Sequence, residues 1–235
     1  MTGGSPLTHS TAGLTLIEIL VTLAILGILL VLILNFQGSA VRFTSGQDSQ
    51  ARRLATINDI SGYVGDRVKA AALAPDGVTV DGSSCSRAAA APCLAVVLPV
   101  IDRTCGQVIN WTLFAFRYVP RTSLTETEKA PSPALESNSI YGLRETRVLS
   151  GQANGTCAAP MRTPPTTFSG TVVSGMLADN LVLTTGQAAF EFLSTNKVVI
   201  VRLRSVDAAG TQGLQYTPAL AKDPYTLRVF ARNVN

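Results

Sequence analysis

The sequence predicts an α+β fold, in which a long N-terminal α-helix packs on an antiparallel β-sheet head. Three observations predict it. An unbroken apolar run from Leu14 to Leu34 would span about 32 Å as a helix, close to the thickness of a bilayer core. A more polar stretch behind the run keeps apolar residues at helical spacing. The remainder reads as strands separated by long loops rich in Pro, Ser and Thr.

Composition excludes several classes of protein. The chain has 235 residues, of which 46% are hydrophobic and 14% charged, which excludes a disordered chain. A single long apolar run excludes a protein with several membrane spans. The one histidine, His9, lies near the N-terminus, so the body lacks the imidazoles of a catalytic triad or a His-rich zinc site. No nucleotide-binding or G-x-S-x-G motif follows a strand. We therefore expect no enzymatic activity and no cofactor.

The apolar run differs from an ordinary secretory signal peptide. Its small residues, Ala12 and Gly13, precede the run, and no A-x-A cleavage site follows it. Glu18 lies within the run. A carboxylate at membrane depth is costly, so this residue is predicted to be functional.

Residues 13–18 read Gly-Leu-Thr-Leu-Ile-Glu and continue into the apolar helix. This segment resembles the N-terminal signal of type IV pilins and type II secretion pseudopilins. The resemblance implies that a prepilin peptidase cuts between Gly13 and Leu14 and methylates the new amine of Leu14. It also implies that Glu18 pairs with the N-terminal amine of a neighbouring subunit during assembly. A plain signal anchor with a stray glutamate is the alternative.

Two features depart from the usual pattern of that family. Leu14 stands where a phenylalanine is common, and the leader, residues 1–13, has no Lys or Arg. Three arginines follow the span, which by the positive-inside rule would keep the body in the cytoplasm. Large domains translocate largely regardless of charge, and the cysteines favour an oxidising compartment, so we expect a periplasmic head. The three arginines are Arg42, Arg52 and Arg53.

Four segments are predicted along the chain: a leader at 1–13, a transmembrane helix at 14–36, an amphipathic helix at 37–74 and a β-rich head at 75–235. Pro75 ends the helical pattern by about Ala74. Gly38 and Gly46 leave open a second reading, two helices with a break near residues 44–48. The apolar stripe of the amphipathic part comprises Leu54, Ile57, Ile60 or Ser61, Val64 and Val68.

The head is predicted to be built from strands with long loops at 122–139 and 150–169. The closing segments resemble the C-terminal sheet of larger minor pilins and J-type minor pseudopilins. The strands with the clearest patterns are Leu94–Ile101, Val108–Val119, Lys197–Arg204 and Tyr225–Arg232.

All four cysteines lie outside the apolar run. An even number in a translocated domain predicts two disulfides, for which three pairings are possible. We favour Cys85 with Cys93, closing a short loop, and Cys105 with Cys157, closing a long one. Zinc binding is the alternative, but no C-x-x-C pair is present.

Charge and turn residues give weaker signals. The net charge of the chain is +4. The segments from Lys197 onward hold six basic and two acidic residues, so their own net charge is equal to that of the whole chain. Their arginines could contact DNA or another anionic surface, or form the solvated side of a sheet. Asp76-Gly77 and Asp81-Gly82 could ligate calcium, but Asp-Gly pairs are usually turns, so no metal site is predicted. The arginines concerned are Arg202, Arg204, Arg228 and Arg232.

The resemblance to the pilin signal implies a minor subunit of a type IV pilus, serving motility, adhesion or DNA uptake. The expected partners are prepilin peptidase, other pilins or pseudopilins, the inner-membrane assembly platform and the inner membrane, with DNA as a weaker candidate. The head would lie in the periplasm before assembly and afterwards in a surface pilus or a periplasmic pseudopilus. The alternatives are a minor pseudopilin of type II secretion and a single-span anchored envelope protein.

Overall fold

The computed structural model describes residues 15–129, 137–151, 154–208, 214–219 and 223–231. These residues form one long helix, α1 (Leu16–Ala70), and a set of antiparallel strands, which confirms the α+β class. The strands are β1 (Val78–Val80), β2 (Ser83–Cys85), β3 (Cys93–Ile101), β4 (Val108–Pro120), β5 (Ile140–Leu149), β6 (Val172–Val182), β7 (Phe190–Leu193), β8 (Val198–Leu203), β9 (Ser205–Ala208), β10 (Leu214–Thr217) and β11 (Tyr225–Phe230).

The chain falls into two compact units, one ending at Ser49 and one beginning at Gln50. In the first unit the apolar part of α1 has no buried face: its large apolar residues from Leu16 to Leu34 are between 47% and 78% exposed. A helix that is apolar all round requires an apolar environment, such as lipid or other helices.

Helix α1 is continuous through residues 44–48, where a break was the alternative. It ends at Ala70, four residues before the predicted end at Ala74. The reason is a competing strand contact: Ala72 N–H donates to Val97 C=O (2.8 Å) and Val97 N–H donates to Leu73 C=O (2.8 Å). The backbone after Ala70 therefore hydrogen-bonds to the edge of β3 and does not continue the helix.

The largest sheet has six strands in the order β10-β9-β6-β5-β4-β3. β4 lies between β3 and β5, in agreement with its apolar residues on both faces. A second sheet has the order β11-β8-β7, and β1 with β2 forms a separate hairpin. The turn of this hairpin uses Asp81 (φ 51°) and Gly82 (φ 71°), the left-handed backbone that a two-residue hairpin turn needs.

In the second unit, α1 and both larger sheets share one core. Ile57, Ile60, Val64 and Val68 are buried in it, as the predicted stripe requires, whereas Leu54 is 39% exposed. A second core lies on the other face of β3–β5, beneath the β1–β2 hairpin, and contains Trp111, Leu113, Val148 and the Cys85–Cys93 pair.

The chain changes sheets at Arg204. β8 belongs to the three-stranded sheet, and β9 begins at Ser205 in the six-stranded sheet. The predicted single strand Lys197–Arg204, with Arg204 on a solvated face, is therefore wrong at its end, because Arg204 is only 8% exposed at the crossing.

Candidate functional site

The first turn of α1 holds the residues that the sequence singled out. Thr15 precedes the helix, and its backbone N–H and hydroxyl both donate to Glu18 Oε2, at 2.9 and 3.0 Å. In return, Glu18 N–H lies 3.4 Å from Thr15 Oγ1 and 3.1 Å from Thr15 C=O. This is a capping box, which satisfies backbone donors that the first turn would otherwise leave without partners.

The capping box was not predicted, although the pattern Thr-x-x-Glu at residues 15–18 was its signal. It adds a role for Glu18 within its own chain. Both Thr15 bonds go to Oε2, and no donor to Oε1 is found among the residues that the structure describes. Glu18 can therefore cap its own helix and still accept a further hydrogen bond.

Gly13 and Leu14, the predicted cleavage and methylation positions, lie outside the described residues. In sequence they directly precede the capping box. A cut after Gly13 would place a new amine at Leu14, one residue before Thr15. The next cation after Glu18 in the sequence is Arg42, about 36 Å further along a helix.

The cysteines form two disulfides, in the pairing that the sequence analysis favoured. Cys85 and Cys93 are bridged in the second core, and Cys105 and Cys157 are bridged at the surface. The carboxylate of Asp102 lies close to the latter two sulfur atoms. Because both sulfurs are in a disulfide and not thiolates, this trio lacks the ligands of a soft metal site.

Two carboxylates considered for calcium have structural surroundings. Asp76 accepts a hydrogen bond from Arg87 N–H (2.9 Å), and its other oxygen lies 3.7 Å from the Arg87 guanidinium. Asp81 is part of the hairpin turn. A third carboxyl group, that of Asp102, accepts hydrogen bonds from the hydroxyl and N–H of Thr104, which hold its pKa below the usual value. Each of these groups stabilises a turn.

The four arginines proposed for an anionic ligand are not equivalent. Arg202 pairs with Glu191 (2.9 Å) and donates to Ala188 C=O. Arg204 donates to the backbone carbonyls of Pro218 and Ala219, and its guanidinium lies 4.2 Å from the Tyr216 ring centroid. Arg228 is exposed on β11, and Arg232 lies outside the described residues. Contact with DNA stays a prediction.

A polar network between α1 and the sheet was also not predicted. Tyr63 hydroxyl donates to Glu145 Oε1 (2.9 Å), and Arg147 donates to both Glu145 (2.7 Å) and Tyr63 (3.0 Å). Glu145 is buried, so these partners offset the loss of its hydration. Nothing in the local sequence connects Tyr63 with residues more than eighty positions away, so only the fold reveals this cluster.

Comparison with known proteins bears on the N-terminal segment. Residues 8–34 match the family model of the prokaryotic N-terminal methylation motif. No curated protein and no solved structure gave a significant match. Of the residues that the structure describes, α1 is the one helix long and apolar enough to cross a membrane, and the apolar part is not buried. The motif, and the exposed apolar helix into which it continues, support a precursor of the type IV pilin and pseudopilin family.

Proposed function

We propose that the chain is a minor subunit of a type IV pilus. The observation that carries the proposal is the position of Glu18, in the first turn of an exposed apolar helix and four residues after Leu14. Before assembly, the helix would hold the subunit in the inner membrane, with the disulfide-bonded head in the periplasm. After cleavage and methylation, the assembly platform would move the subunit into a filament.

Electrostatics explains why a carboxylate belongs at this position. A charge within hydrocarbon is costly, and pairing it with an opposite charge recovers much of the cost. The Thr15 bonds solvate one carboxylate oxygen, so Glu18 is partly compensated while the subunit waits in the membrane. The amine of a neighbouring subunit then binds Oε1. Hydrogen bonds from Thr15 and the ion pair can coexist, because they use different oxygens.

The apolar surface of α1 supplies the remaining contacts. In lipid, helices associate through close packing, because burial from water no longer favours association. A filament core of parallel apolar helices would cover the 47% to 78% of surface that the large side chains of residues 16–34 expose. The 235-residue chain is larger than the usual major subunit of the family, which favours a minor, initiating or decorating role.

A minor pseudopilin of type II secretion would use the same processing and assembly residues. The two functions differ in their genetic surroundings: genes for a retraction ATPase favour the pilus, and genes for a secretin with secreted hydrolases favour secretion. Motility, adhesion and DNA uptake are roles that a minor pilin could serve.

The experiment compares Glu18→Ala with Thr15→Ala in the native host. Both variants lose the hydrogen bond from the Thr15 hydroxyl to Glu18 Oε2. Only Glu18→Ala also loses the carboxylate, together with its bond from the backbone N–H of residue 15. We expect both to insert normally into the membrane, because Glu18→Ala removes a costly charge. Recovery in sheared filaments should fall for Glu18→Ala and remain near normal for Thr15→Ala.

Two outcomes would contradict the proposal. Normal incorporation of Glu18→Ala at normal membrane abundance would show that the carboxylate is not an assembly contact. An equal loss for both variants would assign the effect to the helix cap. Glu18→Gln adds a third comparison, since it keeps a hydrogen-bond acceptor but removes the charge, and we expect it to resemble Glu18→Ala.

A further inference from the structure

Among the residues that the structure describes, one side of β6 lacks a pairing strand over most of its length. β6 has 11 residues, and β5 pairs along its length from Val172 to Val182. On the opposite edge, among the described residues, β9 meets β6 only at Leu181. Residues 172–178 therefore form an edge strand with a pairing partner on one side.

The register shows which backbone groups face the open side. Leu149 N–H donates to Thr171 C=O (3.4 Å), so odd-numbered residues in this part of β6 face β5. In an antiparallel ladder the alternate residues turn their N–H and C=O the other way. The open edge thus presents the backbone donors and acceptors of Val172, Ser174 and Met176.

Edge strands in natural proteins usually have a feature that prevents pairing with another chain: short length, a charged residue or a covering segment. Four other edges among the described strands fit that rule. β7 and β10 have four residues each, and β3 is covered where Leu73 bridges Val97. β11 carries the exposed Arg228. Residues 172–178 read Val-Val-Ser-Gly-Met-Leu-Ala, with neither charge nor proline, and Val173 is 59% exposed.

A cavity of about 670 Å³ adjoins the Val172 end of this edge. It lies on the face of the sheet opposite α1, where Val148 and Phe168 belong to the second core. The size suits more than one large side chain. Two carboxylates lie at its rim: Asp76 is paired with Arg87, and Asp81 belongs to the β1–β2 turn. The apolar wall comprises Leu73, Val78, Val148, Pro164, Phe168 and Val172.

We propose that β6 accepts an extended segment of a partner protein as an added strand, and that the segment inserts bulky apolar side chains into this cavity. Backbone hydrogen bonds to the open edge supply affinity, and the alternate side chains of the added strand supply specificity. A second copy of β6 would offer Val172, Ser174 and Met176 on that face, a poorer fit to the volume. The inference concerns the head alone and does not depend on the proposed filament function.

The test uses the full chain in detergent micelles and a fluorescein-labelled peptide of alternating Thr and Phe flanked by Lys. Ser174→Pro removes one outward N–H and keeps the backbone bonds to β5, at the cost of the hydrogen bond between the Ser174 and Thr146 hydroxyls (3.1 Å). Arg228→Pro is the matched control: Ala231 N–H donates to Lys197 C=O (2.8 Å), which turns odd-numbered residues of β11 toward β8 and Arg228 outward. Partition of the peptide into micelles is the same for all variants.

We expect fluorescence anisotropy to show saturable binding that Ser174→Pro weakens at least tenfold and Arg228→Pro changes less than twofold. The peptide should slow hydrogen exchange in residues 172–178. Should Ser174→Pro fail to fold, Val173→Lys is the second variant. Its control is Phe230→Lys, because the Phe230 side chain on β11 is also exposed, at 64%. A backbone N-methylated peptide should not bind.

Three results would overturn the proposal. Equal peptide affinity in all variants would show that β6 is not the site. Protection of β11 in place of β6 would assign binding to the other edge. Dimerisation in the absence of peptide, with protection of residues 172–178, would show that a second copy of the chain occupies the edge.

Discussion

Arg121 and Asp179 form an ion pair in which the two side chains are only 3% and 4% exposed. Arg121 lies in the short turn after β4, and Asp179 lies within β6 near a change of register, where Asn180 has φ 59° and also accepts from Arg121 (2.6 Å). The pair therefore joins the C-terminal ends of β4 and β6, which lie on either side of β5 at the same end of the six-stranded sheet and are 58 residues apart in sequence.

Asp179→Asn should strongly destabilise the head. The substitution leaves the Arg121 charge buried without its counter-ion, which costs about 3–5 kcal/mol in comparable pairs. Urea unfolding of the detergent-solubilised chain, followed through the fluorescence of the buried Trp111, measures the change. Asp66→Asn is the control, because the pair of Asp66 with Lys69 is exposed and should contribute less than about 1 kcal/mol. A similarly small loss for Asp179→Asn would contradict the prediction.

Processing should leave an N-terminus at Leu14 that carries one methyl group. Mass spectrometry of the protein purified from its native membrane measures this directly. A matched sample from a strain without prepilin peptidase should keep residues 1–13 and lack the methyl group. Detection of Met1 in the wild-type strain, or of an N-terminus beyond Leu34, would count against the prepilin interpretation.

All four cysteines should be resistant to alkylation before reduction. The Cys105–Cys157 bridge closes a loop of 52 residues, so the double variant Cys105→Ser/Cys157→Ser should lower the free energy of unfolding by about 2–4 kcal/mol. Urea unfolding with and without reductant gives the comparison, and reduction should add no further loss from this bridge. A free thiol in the exported protein would refute the disulfide framework.

Acid should loosen the segment at residues 125–128. The N–H of Thr125, together with its hydroxyl and Arg144, holds the pKa of Glu128 below its usual value. A lowered pKa in the folded state means that these bonds contribute fully above the unfolded pKa, about 4.3, and are lost as the pH falls through the folded value. Hydrogen exchange of this segment at pH 3 and pH 6 tests the change. In Glu128→Gln the difference between the two pH values should shrink.

The sequence predicted those features that depend on local pattern. The apolar run, the stripe from Ile57 to Val68 and the strand at residues 108–119 need only periodicity and composition, and the structure contains all three. β5 was missed because Arg144, Glu145 and Arg147 break an apolar alternation. These charges are tolerated in the sheet because Glu128 and Tyr63 pair with them, and both partners are distant in sequence.

The same reasoning applies to the candidate site. Glu18 was found because a carboxylate in an apolar run is anomalous, whereas its bond to Thr15 required the Thr-x-x-Glu spacing to be considered together with the helix start. Arg204 was misplaced because periodicity continues across the point where the chain leaves one sheet for another. The open edge of β6 depends on which strands fail to pair, which no local pattern reports.

The Cys105–Cys157 bridge also determines how the head would respond to tension. The bridge lies outside both β4 and β5, so these two central strands belong to a closed covalent loop of 52 residues. If the chain were pulled between α1 and β11, force would pass from Cys105 to Cys157 through the sulfur atoms, and the loop would carry none of it. About 180 Å of contour length would remain inextensible at any load that spares covalent bonds. The bridge therefore keeps tension away from β4 and β5, the two strands in the middle of the largest sheet.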